Sequence, residues 1–291
     1  MRQRLISAAV LVTVVVIVFM LGQPWLTLFI AALAAAAAWE TAQLVRMAGL
    51  NADRWLAVAF AIVGVLSMWW ALDRGLNGTG AVIAMAFVAM VVVVTASLAL
   101  RKVPRDGFLT WVGGVVAALY PGMLAFVAGI ALIPRPLPPS VVADHLDAGR
   151  AWLLVLILTV WSLDSFAYIA GKYHGRGRFM NHISPNKTWS GAIGGSIAAV
   201  VVCTALTVLV GESPLLGLVL GVLLAVAAQA GDLTESMLKR AAGAKDSGTL
   251  IPGHGGFLDR LDSFLFAGPT MFFVLALLQA WPLTSIDRLI P

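Results

Sequence analysis

Residues 232–262 read DLTESMLKRAAGAKDSGTLIPGHGGFLDRLD. Nine charged side chains fall here: Asp232, Glu235, Lys239, Arg240, Lys245, Asp246, Asp259, Arg260 and Asp262, with His254 among them. Acids and bases are interleaved, and glycines at 243, 248, 253, 255 and 256 let backbone approach a ligand closely. Carboxylates suit Mg²⁺, and Lys and Arg suit phosphate oxygens, so the pattern points to a metal ion working with a polyphosphate. Asp232 and Glu235 share one helix face, which Ser236 and Lys239 extend; Asp259 and Asp262 repeat the three-residue spacing. Interfacial salt bridges with Lys239, Arg240 and Arg260 are the plainer reading. Clustered carboxylates repel one another unless a cation neutralises them, which favours metal.

A second polar loop, GKYHGRGRFMNHISPNKTWSG (171–191), carries Lys172, Arg176, Arg178 and Lys187. Ser184-Pro185-Asn186-Lys187-Thr188 breaks the loop just before an apolar segment. It offers hydroxyls and a cation at a helix N-terminus, where anions are favoured. Asp164 lies inside an apolar segment about two turns from its polar end, so it should face a polar cavity or a partner. With Ser162, Ser165 and Tyr168 it forms a polar stripe. Glu40, the other buried acid, is expected either to serve the site or to pair with a loop cation. His254, flanked by glycines, reads as part of a tight turn or as a phosphate contact.

The elements that hold these groups are apolar. The chain has 291 residues, 60% of them hydrophobic and 11% charged, with a mean hydropathy of +0.95. That excludes an ordinary soluble domain. Long apolar stretches predict an all-α polytopic membrane protein with about nine transmembrane helices, near 5–22, 25–45, 55–72, 80–100, 108–133, 151–171, 189–210, 214–235 and 263–282. Pro121 should kink the fifth, and the eighth should continue as a polar helix through Lys239. With the N-terminus inside, fifteen Lys and Arg fall on the inner side and four (Arg74, Arg135, Arg150, Arg288) on the outer. This bias places the N-terminus and both polar loops in the cytoplasm, in a cell membrane. The net charge of +5 is then topological, and no aromatic-basic pattern suggests nucleic acid. The first apolar stretch reads as a retained helix, not a cleaved signal. Cys203 is the sole cysteine and excludes an intrachain disulfide.

By chemistry the chain divides into a scaffold (1–133), an extracytoplasmic loop (134–150) stiffened by PRPLPP, and a catalytic region (151–291). Gly191 with Gly195, and Gly217 with Gly221, have the spacing of close helix packing.

SMLKRAAGAKDSGTLIPGHGGFLDRLD (236–262) resembles the signature of the phosphatidate cytidylyltransferase family, the CDP-diglyceride synthases. Its fixed positions match Ser236, Lys239, Arg240, Lys245, Asp246, His254, Gly255, Gly256, Asp259, Arg260 and Asp262. The 164–191 region is similar to the family as well, with D-x-x-A-Y, G-K and I-S-P-x-K-T-W-x-G. One position departs: Ser190 stands where the family usually has Glu. The resemblance implies the reaction of CTP with phosphatidic acid to give CDP-diacylglycerol and pyrophosphate. It also implies an often dimeric helical membrane protein, and Mg²⁺ held by Asp232 and Asp259, with a monovalent cation such as K⁺ beside it.

In that reading Asp232 and Asp259 hold Mg²⁺, and Lys239, Arg240, Lys245 and Arg260 neutralise phosphate charge. Asp246 and Asp262 hold a second metal or orient those bases. Asp164, Lys172, Ser184, Lys187, Thr188, Ser236, His254, Gly255 and Gly256 complete the substrate contacts. An ion-coupled transporter would cluster its acids near the midplane and often show repeated halves, and neither is seen here. A CTP-dependent lipid kinase would release CDP in place of pyrophosphate.

Overall fold

The computed structural model describes residues 2–100, 102–133, 136–175, 177–251 and 255–280. These residues form helices α1 (Arg2–Leu21), α2 (Trp25–Met47), α3 (Arg54–Asp73), α4 (Gly78–Leu100), α5 (Pro104–Gly122), α6 (Leu124–Ile130), α7 (Ala148–His174), α8 (Trp189–Leu209), α9 (Pro214–Ala241) and α10 (Leu258–Ala280). Among the described residues the only β pairings are single bridges, Arg178 with Thr188 and Ile251 with Gly255.

Local sequence explains the helix starts. Asp53, Asp147, Thr188 and Ser213 each lie just before a helix and accept a backbone N–H three residues on, from Leu56, Arg150, Gly191 and Leu216. Such caps satisfy donors that the first turn leaves orphaned. Pro121 has the expected effect in sharper form: α5 ends at Gly122 and α6 begins at Leu124. The expected polar extension of the eighth apolar segment is also present. α9 has 28 residues, about 42 Å of helix, against a hydrocarbon core of about 30 Å.

Among the described residues eight segments are long and apolar enough to cross a membrane, α5 and α6 acting together as one of them. The chain is a multi-pass, all-helical membrane protein. Nine spans were expected; the apolar stretch in α1, Ala9–Leu21, is shorter than the other eight.

The helices form two neighbourhoods. In the first, α2 packs on α3, α5 and α6. Its alanine run makes this possible, since Ala34, Ala37, Ala38 and Ala42 are wholly buried. In the second, α7, α8, α9 and α10 pack in sequence. α8 and α9 meet at glycines: a Cβ on Gly217 would lie 2.6 Å from Thr204 Cα, and one on Gly221 2.8 Å from Val200 Cα. The expected close packing of that pair is therefore seen. α10 joins the neighbourhoods by lying against α6 and α2 as well as α9.

Candidate active site

A cleft of about 460 Å³ opens between α7, α8, α9 and the 175–188 loop. Asp164, Tyr168 and Lys172 enter it from one stripe of α7, Lys187 and Thr188 from the loop, and Gln229 and Asp232 from α9. Two carboxylates and two ammonium groups thus face one apolar-walled space. Lys187 Nζ is 2.6 Å from Asp232 Oδ2, so the second loop closes onto the signature helix. Thr188 lines the cleft and also caps α8, accepting from Gly191 N at 3.1 Å. Its Oγ1 lies 3.1 Å from Ser190 Oγ, so the residue that departs from the family pattern is tied to this cap. The Lys172 ammonium sits over the rings of Tyr168 and Tyr173, at 5.9 and 5.7 Å from their centroids.

A second cluster is built on the start of α10. Asp259 Oδ1 accepts from Lys239 Nζ at 2.7 Å. Its Oδ2 accepts from Ser247 N at 2.9 Å and Gly256 N at 2.8 Å, with Ser247 Oγ also 2.9 Å away. Lys239 reaches back to Glu235 as well, an i,i+4 ion pair in which Glu235 is fully buried. Lys239 therefore bridges α9 to α10. Glu235 Oε1 meets no donor among the described residues.

Beneath this cluster lies Glu40 of α2. An ion pair with a loop cation is one of its two expected roles; among the described residues it accepts uncharged donors. Phe257 N is 3.2 Å from its Oε1, and Leu258 N and Ser247 Oγ are 2.9 and 3.0 Å from its Oε2. Glu40 is 1% exposed, yet backbone amides at the N-terminus of α10 compensate its carboxylate. The Ser247 hydroxyl has one proton and sits between Glu40 and Asp259. A Cβ on Gly248 or Gly256 would run into the Glu40 carboxylate, so both positions must be glycine for the loop to close over it. Ser247 is absent from the residues that sequence reasoning assigns to the site, and Glu40 is weighed there without its role as an acceptor of backbone amides.

The remaining expected residues are distributed more widely. Arg240 donates from Nε to Ile183 O at 3.2 Å and from Nη1 to Ala244 O at 3.4 Å, which ties the two polar loops together. Ser236 is 3.4 Å from Asp232 Oδ1. Lys245 and Asp246 are exposed on the loop, and Ser184 follows a turn closed by its N–H to Met180 O. Gly255 takes φ of +81°, and a Cβ there would lie 2.6 Å from Asp259 Oδ2. His254 lies outside the described residues. Asp262 Oδ1 accepts from Ser263 N at 2.7 Å.

The two acids implied as Mg²⁺ ligands differ in fit. Asp232 faces the cleft with one oxygen ion-paired to Lys187 and the other in only a long contact with Ser236, so it has lone pairs to offer. Asp259 spends Oδ2 on backbone amides and Oδ1 on Lys239. Among the described residues no three His, Cys, Asp or Glu side chains converge as a ready metal cage. Asp232 thus keeps lone pairs with which it could hold a cation, while both carboxylate oxygens of Asp259 are engaged.

The chain matches the model of the cytidylyltransferase family over residues 2–278. It is 32% identical over 289 residues to a protein of Bacillus subtilis (strain 168) named phosphatidate cytidylyltransferase, covering 95% of this chain and 98% of that one. A protein of the same name from Brucella abortus (strain 2308) is 34% identical over 274 residues, 94% of this chain and 92% of the other. Another from Synechocystis sp. is 45% identical over 140 residues, 46% and 47% of the two chains. On the extent of these matches, the chain belongs to the cytidylyltransferase family.

Proposed function

We propose that this protein is a phosphatidate cytidylyltransferase, making CDP-diacylglycerol and pyrophosphate from CTP and phosphatidic acid for phospholipid synthesis. The observation that carries the reading is the cleft, where Lys172 and Lys187 meet Asp164 and Asp232 within a membrane-embedded bundle. Such a space accepts a polyphosphate and can open to a lipid.

In the reaction an anionic oxygen of the lipid phosphate forms a bond to the α-phosphorus of CTP. The bond from that phosphorus to the oxygen bridging the α and β positions breaks, and pyrophosphate leaves with the electron pair. A phosphomonoester is ionised at neutral pH, so no strong base is needed, and positioning with charge neutralisation is the main task. Lys172 and Lys187 neutralise phosphate oxygens in the cleft. Asp232 orients Lys187 and would hold Mg²⁺ brought with the triphosphate, which supplies further neutralisation of the leaving group. Lys239, fixed between Glu235 and Asp259, locks the signature loop to α9. The positive-inside bias supports a cytoplasmic cleft, where CTP is available, and the family resemblance adds a homodimer.

The test is to supply purified protein in detergent with CTP, phosphatidate and Mg²⁺ and to analyse the products. CDP-diacylglycerol and pyrophosphate in equal amounts support the reading. Their absence, with active protein of any other kind, removes it.

A further inference from the structure

Arg260 is exposed and lies one residue from the anchored Asp259, yet it does not line the polar cleft. It lines a different space, an apolar groove of about 210 Å³ bounded by α1, α2, α6, α7 and α10. Phe19, Leu33, Ile157, Trp161 and Phe264 contribute to its walls, and Arg260 is the one charged residue among the described residues that line it. A cation at the rim of an otherwise apolar groove is the complement of an anionic amphiphile.

The groove and the cleft share α7. Ile157 and Trp161 form an i,i+4 stripe toward the groove, while Asp164, Tyr168 and Gly171 form the stripe toward the cleft. Trp161 and Asp164 are three residues apart, so the two spaces adjoin at that level. The backbone of Arg260 is held by its N–H to Phe257 O at 3.0 Å, and Phe257 N is in turn held by Glu40. The cation is therefore mounted on a turn that Glu40 anchors.

We infer that this groove takes an acyl chain of the lipid substrate, a diacyl phosphomonoester, with its phosphate against Arg260. The inference rests on the proposed cytidylyl transfer. The lipid then approaches from the groove and the nucleotide from the cleft, along successive turns of one face of α7, and they meet beside Asp164. Charge complementarity at Arg260 and continuity with the cleft favour this occupant over a zwitterionic lipid.

The test uses the full-length protein in phosphatidylcholine nanodiscs. Ile157→Trp fills the groove from a half-buried wall position. It should raise KM for dioleoyl phosphatidate about tenfold while leaving KM for CTP within about twofold. A short-chain phosphatidate should be affected less. An unchanged lipid KM, or an equal rise in KM for CTP, would overturn the inference. A second measurement needs no variant: phosphatidate carrying a diazirine near the end of one chain is photolysed with wild-type protein. Adducts at Leu33, Ile157 or Phe264 that excess phosphatidate suppresses and excess phosphatidylcholine does not support the groove. Adducts only elsewhere, or equal suppression by both lipids, contradict it. Suppressible groove adducts in a protein that forms no CDP-lipid would sink the activity reading and leave the binding site standing.

Discussion

Glu40 of α2 accepts the backbone N–H of Leu258 of α10 at 2.9 Å, across 218 positions of sequence. The same carboxylate holds Phe257 N and Ser247 Oγ, so the N-terminal neighbourhood of helices sets the position of the signature loop. Removing Glu40 strands buried donors, at about 1–3 kcal/mol for each left unsatisfied. Glu40→Ala should therefore loosen the loop and misplace Lys239 and Asp259. We expect turnover to fall on the order of 10²-fold, with faster amide exchange over 244–258, while CTP still protects the cleft. Unchanged exchange in that loop would show that Glu40 does not anchor it.

Gly248→Ala tests the same contact from the other side. An added methyl would meet the Glu40 carboxylate, so the variant should share the exchange signature of Glu40→Ala. In the double variant Glu40→Ala/Gly248→Ala the two effects should be clearly less than additive, as for residues in contact. Full additivity would contradict the proximity.

Asp232 and Asp259 should be separable. Asp232→Asn weakens the pairing with Lys187 and removes the proposed metal donor, so turnover should drop about 10²-fold or more with amide exchange at 244–258 unchanged. Asp259→Asn loses acceptor capacity toward Ser247, Gly256 and Lys239 and should lose turnover together with protection of that loop. Near-normal activity of Asp232→Asn at saturating Mg²⁺ would remove it from the site.

Much of this was legible locally. The break near Pro121, the polar extension of α9 through Lys239 and the helix face shared by Glu235 and Lys239 follow from spacing alone. The resemblance implies one site for Asp164, Lys172, Lys187, Thr188 and Asp232, and the structure brings these five to one cleft. Glu40 was not legible as an anchor, because an acid that binds backbone amides leaves no partner residue type to find. The hold of Asp259 on Ser247 and Gly256 escaped for the same reason. Pairing of Lys187 with Asp232 joins two separate loops, and no local periodicity encodes it.

Orientation is open to labelling. In a Cys203→Ala background, cysteines at the exposed positions Asn181 and Thr249 should react only with reagent on the cytoplasmic side, and one at Val141 only from outside. Reaction of Thr249→Cys from outside would reverse the orientation and deny the cleft its cytoplasmic CTP.

Asp164 lines the cleft from within α7, ten residues and about 15 Å of helix before its end at His174. Asp164→Asn should lower lipid-dependent turnover in liposomes with no dependence on membrane potential. A voltage-dependent change would indicate charge moving through the membrane, as in a transporter.

The central claim is transfer of the cytidylyl group, and the position of the label in the lipid product tests it most directly. Purified protein is given phosphatidate, Mg²⁺ and CTP labelled at either the α- or the γ-phosphate. The account predicts that α-label enters lipid and γ-label leaves as pyrophosphate. Entry of γ-label into lipid, with release of CDP, would contradict it and make the protein a lipid kinase.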